Sequence, residues 1–252
     1  MKISIITAVL NRDQTIFDAL KSVQSQNYPF IEHILIDGVS SDQTLQIITK
    51  NATLNTILIS EPDRGIYDAI NKGICISTGE IIGLLHSDDI FSDEFVLQDV
   101  VKAFTDPRVD AVYGDLEYVS EFSLEKVIRY WRSGVFRKKN LLWGWMPPHP
   151  TLFLRRRVFE SLGVYDINYK ISADYDAILR YFFSGEIVST YIPRVFVRMR
   201  LGGESNKSLS RIYLKMKEDY RAIRSNKVGG LGCLIFKNLG KVPQFLFHKR
   251  DI

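Results

Sequence analysis

Cysteine is scarce. Cys75 and Cys233 are the only two in 252 residues, too few for a disulfide framework and without CxxC spacing. A reducing compartment, the cytoplasm, is therefore the expected setting. Long apolar runs are missing too: no stretch approaches the roughly 18 residues of a transmembrane helix. The N-terminus, MKISIITAVLNRDQT, lacks a small-residue cleavage site and does not read as a signal peptide. Neither GxxxxGK[ST] nor a GxGxxG after the first strand occurs, so a glycine-rich phosphate cradle is not the mechanism. The four histidines, at 33, 86, 149 and 248, have no zinc-site spacing, and there is no GxSxG elbow.

What is present is ordinary in its totals. With 46% hydrophobic and 25% charged residues, the chain is a folded globular protein rather than a disordered or fibrous one. The net charge of +4 looks too mild for a nucleic-acid binder, and it conceals a split. Residues 205–252 carry 11 Lys/Arg against 3 Asp/Glu, which leaves 22 against 26 for residues 1–204. A mildly acidic body with a basic tail differs from a uniformly basic protein.

Strand and helix patterns alternate through the first 115 residues. Apolar β-branched runs at 3–10, 33–37, 56–60, 80–86 and 111–115 alternate with helical spacing over 14–26, a segment capped by Ser40 or Ser41, 66–76 and 93–104. This predicts an α/β fold, a mainly parallel sheet with helices on both faces. After Asp115 the regularity fails, and 121–145 mixes basic residues with Trp131, Trp143 and Trp145. A strand at TLFL, helices near Arg157 and over 174–183, and a strand pair over 187–200 interrupted by Pro193 follow. Gly202, Gly203 and Ser205 mark a loop, and from Ser208 to about Lys227 the chain reads as a basic helix.

In an open parallel sheet, ligands bind at the carboxyl ends of the strands. Asp37 ends one strand and Asp88-Asp89 follow another, so the three acids meet at one edge despite their separation in sequence. Converging carboxylates repel one another unless a cation sits among them, and a phosphate-bearing ligand is that cation's usual companion. The same residues would also serve as ordinary turn and cap residues, and spacing alone leaves both readings open. Arg64, at the end of the TILIS strand, reaches the same edge and suits phosphate or base contact, or simple exposure. Asp174 and Asp176 start an apolar helix, where capping explains them equally well. His149, between prolines, is a loop donor or a packed ring.

Five ordered blocks carry a resemblance. SIITAVLNRDQTI, IEHILIDGVSSDQT and EPDRGIYDAINKGICISTGEIIGLLHSDD, then PPHPTLFLRRRVFESLGVYD and ISADYDAILR, resemble the family 2 glycosyltransferases of the GT-A fold, best those of bacterial polysaccharide assembly of the colanic acid type. The resemblance spans about residues 3–200. It implies a Rossmann-like GT-A domain over 1–204, with a nucleotide-sugar half at 1–115 and an acceptor half at 116–204. By position it gives Thr7, Val9, Asn11 and Asp37 to the nucleotide pocket and Arg64 to base and phosphates. His86-Ser87-Asp88 falls on the family's metal-binding Asp-x-Asp position, with His86 replacing the first acid. Asp88 is then the implied ligand of Mg²⁺ or Mn²⁺, Ser87 and Asp88 are implied nucleotide-sugar contacts, and Asp89 is a sugar or supporting contact. Asp174 aligns with the second acid of the catalytic ED-type motif, whose first position is Ala173, and becomes the implied general base. His149 and Trp145 are acceptor-side candidates; core packing explains the tryptophans equally well.

The implied activity is inverting transfer of a sugar from a nucleoside diphosphate, with UDP as the family's usual carrier, to a glycan or lipid-linked hydroxyl. Two other classes stay open. A nucleotidyltransferase would show a glycine-rich N-terminal loop, which TAVLNRDQT lacks; an idle carbohydrate-binding module would not need Asp37, Asp88 and Asp174. The tail, 205–252, ends in CLIFKNLGKVPQFLFHKR, apolar and basic. Such a segment lies on an anionic membrane surface, placing the protein at the inner face, or else packs on the domain.

Overall fold

The computed structural model describes residues 1–185, 187–202 and 209–239. Its first half is the expected alternation: β1 (Ile3–Val9), α1 (Ile16–Gln24), β2 (Ile31–Asp37), α2 (Thr44–Asn51), β3 (Thr56–Ser60), α3 (Ile66–Ile76) and β4 (Ile81–Leu84). Then come β5 (Ile90–Phe91), α4 (Val96–Ala103), β6 (Ala111–Ser120), β7 (Ser123–Trp131), β8 (Leu152–Arg155), α5 (Arg156–Leu162), α6 (Ala173–Leu179), β9 (Ser189–Arg200), α7 (Leu209–Ser225) and α8 (Leu231–Leu239).

One nine-stranded sheet runs in the order β3-β2-β1-β4-β8-β6-β9-β5, with β7 paired to β6. The strands β3, β2, β1 and β4 are mutually parallel. Antiparallel β8 is inserted between β4 and β6, while β9 runs parallel to β6. Six strands therefore share one direction, and the sheet is mainly parallel as expected. Period-two alternation divides the core. Ile6, Ala8, Ile34 and Ile36 face α3 and α6, whereas Ile5, Val9 and Leu35 face α1, α2 and α4. Close approach is enforced at Gly73 of α3, where an added Cβ would lie 2.5 Å from Ile6 Cγ2.

Three local expectations are corrected. Residues 121–145 are not wholly irregular, since Ser123–Trp131 is a strand returning along β6. Residues 187–200 are not a strand pair but one strand. Its register against β6 shifts between Tyr113↔Tyr191 and Asp115↔Val195, and this bulge accommodates Pro193, which has no N–H to give a ladder. Neither Ser40 nor Ser41 caps α2, which begins at Thr44, whose N–H is accepted by Asp42 Oδ1 at 2.9 Å. The loop expected around Gly203 and Ser205 and the end of the tail from 240 lie outside the described residues.

The described part of the tail packs on the body. Ala222, Ile223, Val228, Cys233 and Leu234 belong to the same apolar cluster as Ile6 and Tyr175. Lys237 and Asp219, both buried, form an ion pair at 2.7 Å. Gly144 permits this seat: its φ is 75°, and a Cβ there would lie 2.4 Å from Lys237 Cα.

Candidate active site

The carboxyl edge of the sheet is built by register. Val9 pairs with Asp37, and Asp37 with Ser60, so the ends of three strands form one row. Asp37 is fully buried, and its carboxylate accepts from Ser60 Oγ at 2.6 Å and from the Ser40 amide at 3.0 Å. Asn11, at φ 50°, accepts from the Ser41 amide at 2.9 Å and donates its own amide to Ser40 Oγ at 2.9 Å. The two serines thus clasp the β1 and β2 loops instead of capping a helix. Thr7 is fully buried and bonded to His33 Nε2 at 2.9 Å, and Val9 packs in the core, so neither side chain is open at this edge. Arg64 is exposed beside this row, paired to Asp68 at 2.9 Å.

Past β4 the chain turns sharply, the Asp89 amide donating to the His86 carbonyl at 3.1 Å. Ser87 and Asp89 are buried, and Asp88 is half-buried. Asp89 turns inward to Arg200, whose amide it accepts at 3.3 Å. Burial, and then the charge of Asp88, push its carboxyl well above the ordinary range. Arg200 also donates to the Asp88 carbonyl at 3.0 Å, fixing this turn. The Asp88 side chain has no hydrogen bond or ion pair among the described residues, and no cluster of three or more His, Cys, Asp or Glu among them could hold an ion alone. One free carboxylate at a strand end fits a divalent cation shared with substrate phosphates, the usual Mg²⁺ arrangement, and does not fit an all-protein cage.

Spacing gave no hint of what faces this turn. In the antiparallel pairing of β4 and β8, Gly83 lies opposite Phe153. Three residues onward on one strand and back on the other, His86 arrives beside the 149–150 turn. The two rings meet with Nε2 atoms 2.6 Å apart. His149 Nδ1 then lies 3.2 Å from Asp174 Oδ2, and Tyr67 Oη lies 3.2 Å from Asp174 Oδ1. Burial, then His149, pull the His86 imidazole down to about 4, against Asp88 and Asp174. Burial alone would raise the Asp174 carboxyl, but His149, Lys237 and the Tyr175 amide outweigh it and hold it below the ordinary range. Asp174 is thus an anion with 17% of its side chain open to solvent.

Elements on three sides fix Asp174. Glu218 of α7 accepts the amides of Lys170, Ile171 and Ser172 at 2.9, 2.8 and 3.0 Å, clamping the entry to α6. Tyr67 of α3 donates to the Ile171 carbonyl, and Asn71 exchanges two hydrogen bonds with the Tyr165 backbone. The Lys237 ammonium sits 3.2 Å from the Tyr175 ring centroid. Tyr67, Glu218 and Lys237 were not singled out as site residues in the sequence. Trp145 is half-buried among Tyr113, Phe136 and Phe182, with Nε1 donating to the Ser133 carbonyl at 2.7 Å.

Residues 4–163 match the family model described as glycosyl transferase family 2. A PGL/p-HBAD biosynthesis glycosyltransferase of Mycobacterium bovis is 30% identical over 217 residues, covering 84% of this chain and 82% of that protein. An uncharacterized glycosyltransferase of Mycobacterium tuberculosis is 31% identical, covering 71% of this chain and 68% of that one. Among solved structures, Staphylococcus aureus TarS residues 1–349 in complex with UDP-GlcNAc superposes with a TM-score of 0.70 at 19% identity. That match covers 90% of this chain and 66% of the TarS chain. A Pyrobaculum calidifontis mannosyltransferase in complex with GDP-Man and Mn²⁺ gives a TM-score of 0.68 at 18% identity, over 97% and 72%.

Proposed function

The chain belongs to glycosyl transferase family 2, and from that premise we propose that it transfers a sugar from a nucleoside diphosphate, UDP in the first instance, to a hydroxyl with inversion. The observation that carries the reading is the pairing of a free carboxylate, Asp88, with an anchored anionic one, Asp174, across the His86–His149 contact. Residues 1–115 form the donor half, in which Thr7, Val9, Asn11 and Asp37 shape the nucleotide pocket and Arg64 closes on base and phosphates. Residues 116–204 supply the acceptor half, with His149 and Trp145 on its side.

Asp88 would hold Mg²⁺ or Mn²⁺ together with the diphosphate, and the ion would neutralise the charge that develops on the leaving group. Ser87 and Asp89 support that turn from behind. Asp174 accepts the proton of the attacking hydroxyl as its oxygen bonds to the anomeric carbon and the sugar–phosphate bond breaks toward the diphosphate. A positioned base of this kind contributes about 10²- to 10⁴-fold. A carboxylate kept ionised at neutral pH is ready for that role without titrating.

The acceptor we propose is a glycan or lipid-linked saccharide in cell-surface polysaccharide assembly, of which the colanic acid type is one form. No described helix is long and apolar enough to cross a membrane. Leu231, Ile235 and Leu239 are nonetheless exposed along α8, beside exposed Trp143, whose ring meets Phe236 at 4.5 Å. That face supports docking at an anionic inner membrane surface. Ile235→Glu with Leu239→Glu should abolish sedimentation with anionic vesicles; unchanged sedimentation removes the docking role.

The test of the main reading is a panel of nucleotide sugars with Mn²⁺. Asp174→Asn should lose transfer at least 100-fold while keeping donor affinity. Asp88→Asn should lose metal-dependent nucleotide binding. Turnover by Asp174→Asn at the wild-type rate would remove Asp174 as base.

A further inference from the structure

His86 stands where the family pattern has its first metal-binding acid, yet its ring points to His149 and through it to Asp174. This inference rests on the assignment of Asp174 as the base. We propose that His86 serves the acceptor side rather than the metal: with His149 it forms an imidazole pair that positions the Asp174 carboxylate.

Proton counting constrains the pair. Two Nε2 atoms at 2.6 Å share one proton, so one ring donates and the other accepts. His149 has Asp174 Oδ2 at 3.2 Å from Nδ1, and a carboxylate only accepts. With both rings neutral, the proton on His149 is on Nδ1, its Nε2 lone pair accepts, and His86 is the Nε2–H donor; a cationic His149 would instead donate from both nitrogens and make His86 the acceptor. Each ring has one tautomer. Chained this way, His86 fixes His149, and His149 occupies Oδ2. Tyr67, whose hydroxyl is nearer the Ile171 carbonyl than Oδ1 at 3.2 Å, leaves Oδ1 the less committed oxygen for the incoming hydroxyl. The direction of the carboxylate's free lone pair is set by the ring, and misplacement of a base lowers turnover without weakening donor binding. The arrangement is available only because β8 returns antiparallel beside β4.

The same geometry accounts for the missing acid. A carboxylate at position 86 would place a second anion toward Asp174 and leave His149 Nε2 without its donor. The donor turn keeps Asp88 as its sole free carboxylate. In this chain the motif that normally belongs to the donor alone is shared between donor and base.

The first experiment reads tautomers by long-range ¹H–¹⁵N NMR of histidine-labelled protein at neutral pH. It needs neither substrate nor metal. Expected are His149 as the Nδ1–H and His86 as the Nε2–H tautomer, assigned by loss of signals in His149→Gln and His86→Asn. An Nε2–H tautomer for His149, or a His149 protonated on both nitrogens with His86 as acceptor, overturns the proposal. The second separates the metal role: Mn²⁺ binding with UDP, followed by Mn²⁺ paramagnetic resonance, should change less than about twofold in His86→Asn. A tenfold loss there makes His86 a ligand and refutes the proposal. The third is kinetic. His149→Ala and His149→Gln should lower kcat about 10- to 100-fold at unchanged donor KM, whereas His149→Asn, whose amide N–H replaces Nδ1–H, recovers most of it. Equal loss in the Asn and Ala variants overturns the positioning role. Failure of the base assignment looks different: normal tautomers and metal binding, with Asp174→Asn still active.

Discussion

Glu218 offers the sharpest test of how Asp174, the proposed base, is held. Its side chain is buried on α7, and its two oxygens take three backbone amides from the turn before α6. Hydrogen bonds to a charged group contribute about 1.5–3 kcal/mol each, but the Ile171 and Ser172 amides share Oε2, so the three count as roughly two. Glu218→Ala should therefore destabilise the protein by about 3–6 kcal/mol, a large share of the ~5–15 kcal/mol of a typical domain. Glu218→Gln keeps one acceptor oxygen and presents an NH₂ to the remaining amides, so about half that loss is expected. Urea unfolding with an unchanged slope measures both. At denaturant-free, low temperature, where both variants stay folded, kcat should fall while the donor dissociation constant holds, because the displaced turn carries Asp174 and not the proposed nucleotide pocket. A loss under about 0.5 kcal/mol for Glu218→Ala would refute the clamp, since that is the size of an inconsequential surface change.

His33 sets an acid limit on stability. Burial holds its imidazole down to about 3 in the folded protein, against about 6.5 in an unfolded chain. Below pH ~6.5 the unfolded state takes up a proton that the folded state refuses. The stabilisation is complete above that pH and is lost by about 1.4 kcal/mol per pH unit as pH falls toward 3. His33→Asn should flatten this slope in denaturation midpoints taken from pH 7 to 4; an unchanged slope would assign the acid sensitivity elsewhere. Lys237→Met should cost about 3–5 kcal/mol by leaving Asp219 buried without its partner, and adding Asp219→Leu should return most of it. A double variant no better than the single one would show that the pair is not the source of the loss.

What the sequence made legible was local and periodic. The runs at 3–9, 31–37, 56–60 and 81–84 are apolar and β-branched, and their alternation with helices carries the parallel half of the sheet. Since parallel strands end at one edge, the placing of Asp37 and Asp88 together follows from topology alone. Return strands are another matter. That β8 inserts between β4 and β6 depends on side chains 70 residues apart along the chain, and no periodicity records a neighbour order. The His86–His149 contact is a consequence of that insertion, so four scattered histidines concealed an adjacent pair. Pro193 misled for a related reason: a proline within an apolar run ordinarily breaks a strand, whereas here a bulge against β6 absorbs it. The roles of Ser40 and Ser41 were hidden by competition, since the same hydroxyls that suit a helix cap suit other acceptors, and here Asp37 takes the Ser40 hydroxyl while Asn11 takes that of Ser41.

The charge of the tail acquires a physical meaning once α7 is seen in place. Residues 209–239 contain two acids, Glu218 and Asp219, and both are buried: one clamps the entry to α6, the other meets Lys237. The cations Lys217, Arg224 and Lys227 stay at the surface. Folding therefore withdraws the negative charge of this segment from solvent, and the field it presents outward is more positive than its composition. Under the proposed assignment of Asp174 as base, a helix whose inner edge holds that residue's turn and whose outer edge is cationic cannot be removed as a docking appendage without disturbing turnover. Attraction of that edge to anionic lipid should weaken as ionic strength rises through the range where the Debye length falls below ~10 Å, whereas the buried clamp should not respond. Salt thus separates the two proposed roles of one helix: the expected result is vesicle binding lost at high salt with turnover on a soluble acceptor retained.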